Sequence, residues 1–256
     1  MKAGVTRYRA VVAYDGTDYF GFQRQAGDTP TIQGTIEAAL RRVTGQDTTV
    51  IGAGRTDTGV HASGQVIAFD AAWRHGTSDL WRAINATLPA SIALRSLDEA
   101  EAAFHPRFDA RSRAYAYTLM FAPVRQPLWQ RTTWQITTGR PPDLDAMQRA
   151  AAGLAGTHDF ATFGQPPQGE STVREVLRSE CRLLAQPETD GVTLRYEIEA
   201  NAFLYRMVRR IVGGLARVGR GELAAEDFLT AFRAADGAWP NQSAPAHGLC
   251  LIRVTY

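Results

Sequence analysis

The segment richest in chemistry is Gly52–Gly64, GAGRTDTGVHASG. Its four glycines, with Thr56, Thr58 and Ser63 among them, predict a tight and irregular backbone. Arg55, Thr56 and Asp57 stand in its middle. A carboxylate beside a guanidinium can be an activated nucleophile or base. It can equally be a turn residue whose carboxylate caps backbone amides. Residue type alone leaves both readings open. A phosphate cradle is poorly supported: a dinucleotide fingerprint needs glycine three positions after Gly54, where Asp57 stands, and no lysine precedes a serine or threonine as a Walker loop requires.

The second chemical signal is arginine. All but one of the 28 basic residues are arginine, the exception being Lys2, although net charge is only +2. From Ala200 to Gly221 five arginines (Arg206, Arg209, Arg210, Arg217 and Arg220) occur without a single acid. Arg107, Arg111 and Arg113 form a second group. Planar guanidinium forks suit phosphate and stack on bases. At about 100° per residue, Leu204, Val208, Ile211 and Leu215 centre a broad apolar arc of a helix. Arg209 falls just beyond one margin of that arc and Arg210 just beyond the other, while Arg206 and Arg217 point away. An arginine at such a margin buries its stem and reaches inward; the geometry permits Arg209 this role without selecting it.

Other classes are disfavoured by composition. No apolar run approaches the roughly 18 residues of a membrane span. Met1–Asp15 lacks a signal-peptide core, so the expected location is cytoplasmic. Cys181 and Cys250 stand alone, with no CxxC pair, no Cys/His cluster and no HExxH spacing, and read as core fillers; no metal site is expected.

These groups need elements to hold them. Thr6–Tyr14 reads as a strand ended by Asp15-Gly16, Thr31–Val43 as a helix, Thr48–Ile51 and Gln65–Phe69 as strands around the glycine loop, Ser78–Leu88 as a helix stopped by Pro89, and Ile92–Leu97 as a strand. The pattern then restarts. Ala114–Phe121 and Trp129–Ile136 read as strands, Asp143–Ala155 as a helix ended by Gly156, Val173–Leu184 and Val192–Ala200 as an antiparallel pair, Phe203–Val218 and Ala224–Ala235 as helices, and Leu249–Thr255 as a last strand. Gly164–Gly169 reads as a surface loop. Strands broken by helices without strict alternation predict an α+β fold with mostly antiparallel sheet. A composition shift near Phe104–Asp109 suggests two domains, residues 1–104 and 105–256, alike in element order though without a sequence repeat.

At GRTDTGVHA the chain resembles the RTDAGVHA-type active-site motif of the tRNA pseudouridine synthase A family. YDGTDYFGFQRQ and TIQGTIEAAL resemble that family's opening, FHPRFDARSRAYAY its central motif, GTHDFATF and NAFLYRMVRRIVGGL its second half, and APAHGLCL its C-terminal signature. Six motifs in order are far more specific than one triplet. Four positions depart from the pattern: Thr58 replaces alanine, Phe20 and Phe22 stand for histidine and tryptophan, and Cys250 replaces an aromatic.

The resemblance implies a pseudouridine synthase fold, two related domains of mixed, mostly antiparallel sheet flanked by helices, with the active-site cleft between them. It implies isomerisation of uridine at positions 38 to 40 of the tRNA anticodon arm, with no cofactor or metal, by a homodimer. It makes Asp57 the catalytic carboxylate, Arg209 the guanidinium that keeps it ionised, Tyr115 the ring that stacks on the target base, and Arg55 the residue at the space the base vacates. His61 reads as a structural hydrogen-bonder, and Arg107, Arg111, Arg113, Arg206 and Arg210 as RNA-binding. Two rival readings remain. One is a non-catalytic tRNA-binding or chaperone protein on the same scaffold. The other is a hydrolase using one aspartate and a water, which more often shows a second carboxylate beside the first.

Overall fold

The computed structural model of the chain describes residues 4–166, 171–185, 190–235 and 243–256. In chain order the elements are β1 (Val5–Tyr14), α1 (Ile32–Thr44), β2 (Ile51–Gly52), β3 (His61–Ala72), α2 (Thr77–Thr87), β4 (Ile92–Glu99), β5 (Ser112–Ala122), β6 (Trp134–Thr137), α3 (Leu144–Ala152), β7 (Gly156–Asp159), β8 (Val173–Leu184), β9 (Val192–Ala200), α4 (Met207–Gly219), α5 (Ala225–Ala234) and β10 (Leu249–Thr255). The class is α+β, with antiparallel pairing dominant.

Contacts divide the chain into Met1–Arg111 with Cys250–Tyr256, and Ser112–Leu249. The change of unit thus falls after the Phe104–Asp109 composition shift. The last strand returns to the first unit, which a single cut at residue 104 does not anticipate.

In the first unit the strands run β4-β1-β3-β10, with β2 on β3. β1 lies antiparallel to both β3 and β4, and β10 joins β3 in parallel through Cys250 and Leu251 opposite His61 and Ala62. Alternation decides the buried face of β1: Tyr8, Ala10, Val12 and Tyr14 point into the core. Thr31 caps α1 by accepting from the Gly34 amide, and Gly45 closes it in the left-handed region at φ 73°. Ile32, Ile36 and Leu40 form its buried stripe, each contributing about 1.5–3 kcal/mol relative to exposure. α1 packs on α2, and α2 on β4.

In the second unit β5, β9, β8 and β7 form an antiparallel run, with β6 parallel to β5. α3 packs on β8 and touches α4 and α5. Tyr117 and Tyr196 are fully buried, and each hydroxyl is satisfied: Tyr117 donates to the Pro245 carbonyl at 2.7 Å, and Tyr196 pairs with Ser179 at 2.9 Å. Phe228 and Phe232 of α5 pack against Phe160 and Phe163 in an aromatic cluster.

Several local expectations differ from the fold. β3 begins at His61, so the last residues of the glycine loop are strand, while β2 is only Ile51–Gly52 rather than Thr48–Ile51. Pro127–Trp129 is a single 3-10 turn, and the turn continues as the Thr132 amide donates to the Trp129 carbonyl at 3.3 Å, so strand starts only at Trp134 where Trp129–Ile136 suggested continuous strand. α3 ends at Ala152 with Gly153 as its cap, short of the expected Ala155, and Gly156–Asp159 pairs with β8. α4 starts at Met207 rather than Phe203, since Arg206 adopts a left-handed conformation at φ 57°. Cys181 is buried, its thiol pushed up to about 12 by burial and then by Glu180; Cys250 is only half-buried. Part of the Gly164–Gly169 loop lies outside the described residues.

Candidate active site

The Arg55-Thr56-Asp57 triplet is held chiefly through its middle residue. The Thr56 carbonyl accepts from the Phe22 amide at 3.0 Å, and its hydroxyl pairs with the Tyr14 hydroxyl at 2.8 Å, both Tyr14 and Thr56 being buried. Gly21 lies against the same carbonyl. It sits at φ +90°, and a Cβ there would come 2.8 Å from the Thr56 oxygen. Upstream, the buried Gln65 side chain donates to the Gly54 carbonyl at 2.8 Å. Downstream, the Val60 amide donates to the Asp57 carbonyl at 3.1 Å, closing a turn whose Gly59 has φ 76°. The opening motif and the end of β1 therefore form the seat of the loop. Arg55 is exposed and Asp57 half-buried.

Neighbouring motif residues have structural tasks. His61 accepts from the Gly16 amide at Nδ1, 3.1 Å away, in agreement with its reading as a hydrogen-bonder. Phe22 is buried 6.4 Å from the Tyr14 ring and lies so close to Gly52 that a Cβ there would meet it at 2.5 Å. Thr58 and Phe20 are exposed, so the threonine departure points to solvent instead of packing into the core.

The second unit places its candidates on β5 and α4. Tyr115 is half-buried, opposite Ile198 on β9, and meets Phe203 edge-on with ring centres 5.1 Å apart. Its strand neighbour Tyr117 is sealed in the core and its hydroxyl is pushed up by burial against a smaller opposing pull from Arg209. This separates two tyrosines that share one strand face. Arg209 is clamped in both directions to Ala244: its Nε donates to the Ala244 carbonyl at 2.8 Å, and the Ala244 amide donates to the Arg209 carbonyl at 2.9 Å.

A groove of about 450 Å³ lies along α4 in this unit, lined by Trp134, Arg206, Arg209, Gly213, Arg220 and Ala244 among others. The Arg206 guanidinium lies 4.9 Å from the centre of the Tyr205 ring. Arg210 does not line the groove. Its Nε is buried without a hydrogen-bond partner among the described residues, and burial, then Arg206, lowers its pKa. Arg113 donates to the Asn201 carbonyl at 3.2 Å. In the first unit the Arg107 guanidinium lies 5.7 Å from the Phe108 ring centre, and the Arg111 amide donates to the Thr255 carbonyl at 2.8 Å. Among the described residues no three His, Cys, Asp or Glu side chains are grouped so as to hold a metal ion.

Tyr14, Gln65, Trp134 and Arg220 escaped the sequence-based choice of site residues. Only Arg220 carried a usable signal, because it shares a helical face with Arg209. The other three act through contacts distant in sequence.

With this geometry in hand, the chain belongs to the tRNA pseudouridine synthase family, whose sequence profile matches residues 10–109 and 150–256. Its relatives carry the name tRNA pseudouridine synthase A. The one from Brevibacillus brevis is 43% identical over 98% of this chain and 99% of its own length. The relative from Thermotoga petrophila is 38% identical over the same shares, 98% and 99%. One from Neisseria gonorrhoeae is 41% identical over 87% of this chain and 81% of its own.

Proposed function

We propose that the chain isomerises uridine to pseudouridine in tRNA, at positions 38 to 40 of the anticodon arm, in the cytoplasm and as a homodimer. The observation that carries this reading is the seating of Arg55-Thr56-Asp57 by Tyr14, Gly21 and Phe22 in a chain that matches the family along both halves. The N1–C1′ bond of the target nucleotide breaks, the uracil turns, and a C5–C1′ bond forms. The C5 proton is released, and N1 ends carrying a proton. No electrons enter or leave, so the reaction calls for no redox cofactor.

In this reading Asp57 is the catalytic carboxylate. Arg55, exposed beside it, occupies the space left by the extruded base. Tyr115 offers its ring to the uracil, replacing the stacking lost on extrusion. Arg209, fixed by Ala244, adds positive charge at the substrate. Arg107, Arg111, Arg113, Arg206 and Arg210 bind phosphates and orient the RNA more than they read its sequence.

The test is to incubate purified protein with unmodified tRNA and map pseudouridine by nucleotide. Pseudouridine at positions 38 to 40 is the expected result. Tight tRNA binding without any pseudouridine would instead indicate the non-catalytic binding protein. Size-exclusion chromatography with light scattering checks the dimer.

A further inference from the structure

Arg209, Gly213 and Arg220 lie within about 40° of one another on the α4 wheel, spread over about 16 Å of helix. Arg206 stands in the turn that precedes them. This stripe is one wall of the groove, and Trp134 from β6 stands among the other lining residues. Gly213 lines the groove midway along the stripe without contributing a side chain. Trp134 is itself held edge-on against the buried Tyr117 ring, 6.2 Å between centres. Arg206 is kept in a left-handed backbone conformation that non-glycine residues rarely adopt. Such strain persists only where the surroundings enforce it.

The charge is one-sided. From residue 200 to 221 there is no acid; at this end of the helix stand Glu222, 2.8 Å from Arg220, and Asp143, whose amide donates to the Gly219 carbonyl at 2.9 Å and whose carboxylate is engaged in capping α3. Glu222 is half-exposed, so its pairing with Arg220 is weak and can be exchanged for another anion. Three arginines lining one groove, with an indole among the lining, match a strand of nucleic acid: anionic groups repeat along it, and its bases offer flat faces. A strand carries one phosphate per nucleotide, so a stripe of about 16 Å spans more than one of them.

We infer that the α4 groove is a binding site for consecutive phosphates of the RNA strand, with Arg206 and Arg220 as its two poles and Trp134 as a stacking surface between phosphate contacts. This deepens the proposed function and rests on it for the identity of the RNA. The groove selects by backbone charge and not by sequence. It extends the substrate contact beyond Arg209 to a residue, Arg220, more than two helical turns away.

The experiment measures tRNA affinity by filter binding between 0.05 and 0.3 M salt (a range of about sixfold) for the wild-type chain, Arg220→Gln and Arg220→Lys. Removing one phosphate contact lowers the slope of log K against log salt by about 0.7 to 0.9 and weakens binding roughly fivefold at physiological salt. Arg220→Lys keeps the slope, because the charge remains. An unchanged slope in a folded Arg220→Gln protein overturns the inference. Should that variant not fold, phenylglyoxal footprinting of the wild-type chain decides: tRNA protects Arg220 from modification, and equal modification with and without tRNA overturns the site. A wild-type chain that forms pseudouridine while Arg220→Gln binds normally refutes the groove alone. A wild-type chain that binds through Arg220 without forming pseudouridine refutes the proposed activity alone.

Discussion

The Tyr14 hydroxyl lies 2.8 Å from the Thr56 hydroxyl, both side chains buried, so the last residue of the first strand holds the residue next to Asp57. Removing that oxygen leaves the threonine hydroxyl without its partner. Tyr14→Phe is expected to cost about 1–2 kcal/mol of stability in urea unfolding. With Asp57 as the proposed catalytic carboxylate, it is also expected to lower turnover up to about a hundredfold, the penalty of a small misplacement. A double-mutant cycle with Thr56→Val gives a coupling of about 1 kcal/mol; full additivity would show that the bond does not hold the loop.

Gly21 is the sharper structural test. Alanine there must take φ +90° and bring a methyl group 2.8 Å from the Thr56 carbonyl oxygen. Gly21→Ala is expected to cost about 1–3 kcal/mol and to reduce turnover more than it reduces tRNA binding. Equal stability and activity to wild type would mean the loop has room to move.

Asp57→Asn keeps shape and removes charge. Pseudouridine formation, followed by tritium release from C5-labelled uridine, is expected to fall by roughly 10²–10⁴-fold or more while tRNA binding persists. Substantial turnover by this variant would remove Asp57 from the mechanism.

Tyr115→Phe preserves the ring and Tyr115→Ala removes it. If stacking is its task, phenylalanine retains most binding of the target nucleotide and alanine loses about 1–3 kcal/mol, seen as a fall of roughly 10- to 100-fold in kcat/KM. Equal losses in both variants would assign the role to the hydroxyl.

Alkaline pH should loosen the second unit. Burial raises the Cys181 thiol from the ordinary 9.0 to about 12 and pushes the Tyr117 and Tyr196 hydroxyls up as well. Each group keeps its proton in the folded chain at pH values where the unfolded chain loses it. The stability they contribute is therefore complete below about pH 9 for Cys181 and about pH 10 for the tyrosines, and declines as pH rises from there towards the folded values. The decline is about 1.4 kcal/mol per pH unit for each group. Urea unfolding at pH 8 and 10.5 should show it, and Cys181→Ala should lessen the slope.

Local patterns were legible in the sequence wherever the cause was local. β8, β9 and β10 were readable to the residue, because alternation and turn residues are written within each segment. The Asp143 cap of α3 was readable for the same reason. The composition of the glycine loop marked the place of Asp57, and ordered motifs marked the family. Errors fell where distant parts of the chain compete with local preference. The helical stripe of α4 extends back to Phe203, but backbone strain at Arg206 delays the helix until Met207.

What the sequence by itself determined, then, is the class of fold, the family, and the arginine-rich, acid-free character of α4. Only the tertiary structure decided how those residues are held. Nothing in the chain order says that Tyr14 reaches Thr56, that Gly21 must be glycine because a carbonyl oxygen fills the space, or that Trp134 joins Arg206 and Arg220 in one groove. These relationships join residues 35 to 86 positions apart along the chain. They come from packing, which is set by all neighbours at once, whereas sequence patterns report mainly the neighbours on the same helix or strand.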